Sequence, residues 1–225
     1  MHGIKSYVLR AGRMSVAQKR SYETLSPRFC IPFSPDAASA PAFFGNENPL
    51  IIEIGFGMGI ATADIAEANP QKNYLGLEVH TPGIGRLLWE IEKRDLRNIR
   101  IIEHDAVEVL EKMLAPGSAA AFHIFFPDPW PKKRHHKRRL VTRPFTDMLA
   151  EKLSSGGYLY MVTDWEDYGN QALAELSATP GLINPHAGSG KSGFAPHQDW
   201  RPRTRFEQKG IDKNHKVLEL YFIKE

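Results

Sequence analysis

From Leu50 onward, short apolar runs alternate with stretches whose apolar positions recur every three or four residues. LIIEI at Leu50–Ile54, NYLGLEVH at Asn73–His80, NIRIIEHDA at Asn98–Ala106, AAAFHIFFPDP at Ala119–Pro129 and YLYMVTD at Tyr158–Asp164 have the length of strands. Turn-forming Gly, Pro, Asn or Asp residues bound them, and this pattern predicts five strands. Between them, residues 60–69, 84–94, 107–114, 143–153 and 165–178 carry helical spacing, the fourth helix being expected to stop at Gly156-Gly157. HKVLELYFIKE at the end reads as a last strand. Strands alternating with helices predict an α/β fold with a doubly wound, mostly parallel sheet. Residues 181–213, rich in Gly, Pro and basic side chains, read as loop.

Residues 1–48 carry neither period. Arg10, Arg13, Lys19 and Arg20 precede a Pro/Ala/Ser-rich tract, so this part reads as an extension, partly disordered or draped over a domain spanning 49–225. It is either a passive tail or a grip on an acidic partner.

Composition adds bounds. At 225 residues, with 42% hydrophobic and 24% charged residues, the chain suits one soluble globular domain with a substantial core. The single cysteine, Cys30, excludes an intrachain disulfide and suits a reducing compartment. No apolar run reaches the ~20 residues of a spanning helix, and the N-terminus lacks the apolar core of a signal peptide. The expectation is a cytoplasmic protein without membrane contact. Oligomeric state leaves no mark on the sequence.

A formal net charge of +3 says little, but its distribution says more. FPDPWPKKRHHKRRLV, Phe126–Val141, fixes Asp128 and Trp130 among Pro127, Pro129 and Pro131, where neither helix nor central strand continues. Lys132, Lys133, Arg134, His135, His136, Lys137, Arg138 and Arg139 follow with no acid among them. A solvated helix face mixes signs; this run suits the phosphates of a nucleic acid. Trp130 reads as packing more than as a base-stacking platform. No His/Cys spacing supports a zinc site.

EIGFGMG places Gly55, Gly57 and Gly59 in the turn after the first strand, where glycine lets backbone approach a nucleotide. A dinucleotide, ATP and S-adenosylmethionine all suit such a turn. The dinucleotide fingerprint fails, because its third glycine slot holds Ile60. GSGKSG around Lys191 fails as a P-loop, because Pro185 stands where glycine is required. Glu53, Glu78, Asp105 and Asp128 stand at four successive strand ends, along the edge where open α/β sheets bind ligands. Any one of them reads equally as a helix N-cap or loop acid; together they suit a ligand carrying an ammonium and a sulfonium. Glu78 is placed to accept from both ribose hydroxyls and Asp105 from the adenine amino group.

EIGFGMG, GLEVH, FPDPWPKKRHHKRRLV, TDWEDY and RPRTRFEQKG occur in an order that resembles the bacterial tRNA (guanine-N7-)-methyltransferases, from about Leu50 to the C-terminus. The resemblance implies a class I, Rossmann-like methyltransferase sheet with an antiparallel C-terminal strand. It implies S-adenosylmethionine as methyl donor and tRNA as partner, with methylation at guanine 46 of the variable loop. Glu53, Gly55, Gly57, Gly59, Glu78, Asp105 and Asp128 match cofactor-binding positions, Asp128 also matching the catalytic one. Lys132, Asp164, Thr204, Arg205, Phe206 and Glu207 match substrate-binding positions, and Arg134–Arg139 an RNA-contact segment. The family more often has Lys at Arg205, and Gly where Asn214 precedes His215.

Guanine N7 carries a lone pair and no proton, so its methylation needs placement rather than a general base. Asp128 or Asp164 is expected to favour the charge developing on the purine, and Thr204 and Glu207 to meet the guanine edge. Phe206 reads as core. Two other classes remain open: a non-catalytic RNA-binding protein on such a fold, and a small-molecule methyltransferase. The basic run argues against the second and the four acids against the first.

Overall fold

The computed structural model describes residues 5–8, 12–35, 40–204, 207, 208, 210, 212 and 216–225, the side chains of 40 and 41 apart. Its centre is a seven-stranded sheet of order β3-β2-β1-β4-β5-β7-β6. The strands are β1 Leu50–Ile54, β2 Asn73–Glu78, β3 Ile99–Glu103, β4 Ala119–Phe125, β5 Leu153–Thr163, β6 Leu182–Ile183 and β7 Leu218–Lys224. β1 to β5 run parallel, while β7 is antiparallel to β5 and β6 to β7. The order reverses between β1 and β4, and the crevice beyond their carboxyl ends is where such a sheet binds ligands.

β1 and β2 are buried along their whole length, which is why both read as unbroken apolar runs. Alternate residues of β1 serve opposite faces: Leu50, Ile52 and Ile54 join one core cluster, Ile51 another. The first cluster takes in Val109 of α5 (Ala106–Met113), Leu149 of α6 (Phe145–Lys152) and Leu176 of α7 (Glu166–Ser177). The second takes in Ala63 of α3 (Ile60–Ala68) and Leu88 of α4 (Thr81–Arg94).

One expectation changes. The fourth predicted helix ends at Lys152, and Gly156-Gly157 lies inside β5 rather than at a helix stop. Gly156 adopts φ 74° where the β4–β5 register shifts between Ala119 and Ala121, so glycine here makes a bulge. Besides the short α2 (Ala40–Phe44), the extension contains α1 (Val16–Phe29), capped reciprocally by Ser15 and Gln18. It lies on α4: a Cβ on Gly85 would stand 2.8 Å from the Gln18 carbonyl oxygen. Tyr22 Oη donates to Glu103 at 2.6 Å, and Phe29 enters the second core cluster. Only Ser21 and Phe29 of this helix are buried, and Pro27 lies within it, so no apolar stripe announces it.

Candidate active site

The turn after β1 rests on α4. Gly55, Gly57 and Gly59 have φ of 74°, 58° and 67°. A Cβ on Gly83, in the first turn of α4, would stand 1.9 Å from the Gly57 carbonyl oxygen, so only glycine admits this approach. From the other side, Gly57 N–H donates to Glu78 Oε2 at 2.8 Å. Glu78 Oε1 accepts from Val79 N–H at 2.7 Å and His80 N–H at 3.0 Å. Of a carboxylate's roughly four lone-pair positions, one on Oε2 is left for a hydroxyl. The expected acceptance of both ribose hydroxyls therefore meets a carboxylate already holding the glycine turn.

Glu53 is buried under the turn, and burial, with the nearby Glu78 charge adding, pushes its carboxyl up to about 7. Asp105 is the N-cap of α5, accepting from Val107 N–H at 2.9 Å, and lines a cavity of about 270 Å³. Tyr7, Val79 and His104 line both this cavity and a neighbouring one of about 210 Å³ beside Gly55, Glu78 and Asp128. Among the described residues, no lysine or arginine lines the second cavity, while Lys5 lines the first. A pocket with two carboxylates and no fixed cation fits an ammonium–sulfonium ligand and disfavours a pyrophosphate.

Asp128 stands exposed on the loop after β4, between two residues with left-handed backbone, Phe126 at φ 51° and Trp130 at φ 45°. Such angles on bulky residues cost of order 1–3 kcal/mol each, so the surroundings must hold them. Trp130 is held on both sides. Its Nε1–H donates to the Ser6 carbonyl at 2.9 Å, and the Arg138 guanidinium lies 3.9 Å over its ring. Arg138 donates in turn to the carbonyls of Lys5 and Tyr7, at 3.0 and 2.9 Å. Ser6 and Tyr7 thus reach the pocket wall from the distant N-terminus, with no signal in the sequence.

The basic run is a 3₁₀ helix, Lys133–Arg138, and it divides by direction. Lys132, Lys133, Arg134 and Lys137 are exposed; His135, His136 and Arg138 are half-buried. Arg139 is 3% exposed and committed to the fold, contrary to its reading as an RNA contact. It donates to the Pro129 carbonyl at 2.9 Å, to Asp167 Oδ2 at 2.6 Å and to Gln171 Oε1, with its guanidinium 5.0 Å over the Tyr168 ring. It braces the Asp128 loop against α7.

Residues 47–220 match a family described as "Putative methyltransferase". A tRNA (guanine-N(7)-)-methyltransferase of Acidovorax sp. (strain JS42) is 51% identical over 99% of this chain and 86% of its own length. One of Nitrosospira multiformis is 49% identical over 98% of this chain and 94% of its own. The chain belongs to the tRNA (guanine-N7)-methyltransferase family. Among solved structures, the 16S rRNA methyltransferase KamB superposes with a TM-score of 0.55 over the whole of both chains at 12% identity, a likeness of fold.

The remaining positions that match the family's substrate residues lie beside the strands that end the sheet. Asp164 follows β5 directly and precedes α7. Thr204 and Glu207 form a capped turn, with Glu207 N–H donating to Thr204 Oγ1 at 3.1 Å and Thr204 N–H to Glu207 Oε2 at 3.4 Å. Glu207 is buried, and both its oxygens face Arg201 at 2.7 Å. Burial works to raise its pKa, but the guanidinium outweighs that and holds it below the usual carboxylate range. Glu207, expected at a guanine edge, thus has both carboxylate oxygens engaged by Arg201. Arg205, Phe206, Asn214 and His215 lie outside the described residues.

His197, Glu207 and Glu219 bring ligand atoms within 4.8 Å of one another, the only such group among the described residues. Arg201 contacts all three, so a cation already stands in their midst. Among the described residues, no helix is long and apolar enough to cross a membrane.

Proposed function

We propose that the protein transfers the methyl group of S-adenosylmethionine to N7 of a guanine in tRNA, at position 46 of the variable loop. The observation that carries this reading is the juxtaposition at Asp128. The carboxylate lines a pocket whose described lining residues include no lysine or arginine, and four exposed cations, Lys132, Lys133, Arg134 and Lys137, follow it within nine residues. The names of the relatives support the substrate, and N7, which carries no proton, needs placement rather than a base.

S-adenosylmethionine supplies a methyl group on a positively charged sulfur. The chain's part is to hold that charge, deliver the base and stabilise what forms. Glu78, at the end of β2, lines one of the two joined cavities and Asp105, the N-cap of α5, the other, while Glu53 is buried near the end of β1 and lines neither. The exposed cations grip RNA phosphates and fix the register of the tRNA on the protein. As positive charge moves from sulfur to purine, Asp128 stabilises it, with Asp164 at the next strand end sharing the task. A reaction on tRNA belongs in the cytoplasm, in line with the lone half-buried Cys30.

The test is to incubate the protein with labelled S-adenosylmethionine and an unmodified tRNA transcript, then map the label by borohydride–aniline cleavage. Scission at guanine 46 is expected. Transfer to another nucleotide would overturn the position. Tight RNA binding without transfer would favour the non-catalytic binding protein, and transfer to small molecules alone the other enzyme class.

A further inference from the structure

We propose that Arg201 is a positioning residue for the base-binding end of the site, setting Thr204 and Glu207 against the strand that leads into Asp164. This rests on the reading of the protein as a tRNA methyltransferase.

Arg201 is among the largest fully buried side chains of the protein, 2% exposed. Its two terminal nitrogens meet both oxygens of Glu207, the fork-on-fork geometry that fixes orientation as well as distance. One of the same nitrogens donates to Glu219 Oε1 at 2.9 Å. Glu219 belongs to β7 and stands opposite Val162 of β5, two residues before Asp164. Its other oxygen accepts from Tyr160 Oη, also on β5. The neighbouring Trp200 stacks on the His123 ring of β4, with centroids 4.9 Å apart, and lies 5.3 Å from Tyr160. An unbroken line of contacts therefore runs from the sheet through Glu219 and Arg201 to Glu207 and Thr204.

Stability alone does not explain this arrangement. Burying one guanidinium with two carboxylates carries a desolvation penalty that apolar side chains of the same volume avoid, so what it offers is a defined placement. The loop needs one. Residues 184–204 contain no strand or helix, and Trp200 and Arg201 pin them just before Thr204. Lysine keeps the charge but presents a single nitrogen, which cannot hold Glu207 and Glu219 in one geometry. A displacement of about 1 Å at the reacting base is enough to lower a rate by about a hundredfold.

The full-length protein, Arg201→Lys and Glu219→Gln are compared in three measurements: binding of S-adenosylhomocysteine by calorimetry, binding of unmodified tRNA, and the single-turnover rate of methyl transfer at saturation. For Arg201→Lys we expect one cofactor site per chain with affinity within about twofold of the parent, since β1, β2 and α5 build that pocket. tRNA affinity should change by less than about threefold, because the phosphate-gripping cations are untouched. The transfer rate should fall roughly 10- to 100-fold, and Glu219→Gln, which keeps the shape and loses the charge, should fall in the same direction by less. An unchanged rate in both variants overturns the proposal. So does a loss of cofactor sites in step with the rate, the mark of a merely structural role. If the parent itself transfers no methyl to tRNA, the functional reading fails and takes this inference with it; a normal parent beside unaffected variants sinks the inference alone.

Discussion

Asp128 and Glu53 do opposite jobs with the same chemistry. Asp128 is exposed, on a loop between two left-handed residues; Glu53 is enclosed beneath the glycine turn. Replacing Asp128 by Asn preserves shape and removes the charge proposed to favour a cationic purine. The single-turnover rate should drop by roughly 10²- to 10³-fold, with cofactor affinity changing far less. A drop in affinity that matches the drop in rate would show that Asp128 only holds the ligand. For Glu53 the handle is pH. Its carboxyl is raised to about 7, so the charged form that attracts a cation is the minor one at pH 6 and the major one at pH 8. Cofactor affinity should therefore rise with pH, by roughly tenfold over that interval, and Glu53→Gln should bind weakly with a flat profile. The stability of the ligand-free protein has the reverse sign: a raised pKa favours folding below the usual carboxylate range, and that benefit is lost as pH climbs through about 7.

Among the elements, α4 does the most to place the site. Pro82 starts it, and Gly83 and Gly85 then give its first turns two bare patches, one under the Gly57 carbonyl and one under the Gln18 carbonyl. Gly83→Ala forces a methyl group to within 1.9 Å of backbone, so the glycine turn must move. We expect a loss of about 1–3 kcal/mol in stability, together with weakened cofactor binding that a melt and a titration would read separately. Retained affinity would mean that the turn tolerates displacement. The sequence showed the strand ends well, because short apolar runs closed by turn-forming residues put Glu53 and Glu78 within one residue of the ends of β1 and β2, and Asp128 on the loop after β4. It hid the helix at Val16–Phe29 and the early start of α4. Both depend on close contact between glycine and a distant backbone, which no local period records.

For the molecule as a whole, the basic run shows how far a sequence of like charges can mislead. Eight consecutive residues read as one RNA-gripping surface, yet Arg138 and Arg139 turn inward, to the N-terminal carbonyls and to α7. Direction, not charge, separates them, and direction is set by tertiary packing against Trp130, Tyr168 and Asp167. The consequence is measurable. Alanine at Lys133, Arg134 or Lys137 should weaken tRNA binding and lower the slope of log affinity against log salt by up to about one each, with an unchanged melt. Arg139→Ala should instead destabilise the fold by about 1–3 kcal/mol while leaving that slope intact. A reduced slope for Arg139→Ala would return it to the RNA surface.

The enclosed carboxyl at Glu53 has one more effect. With its carboxyl raised to about 7 it still takes up a proton near neutral pH, and a cationic ligand settling beside it favours the ionised form. Binding must then release part of a proton to the solution. The heat measured on mixing will include ionisation of the buffer, so titrations in phosphate and in Tris at one pH should differ in enthalpy and agree in affinity. The slope of that difference counts the protons, and Glu53→Gln should bring it towards zero.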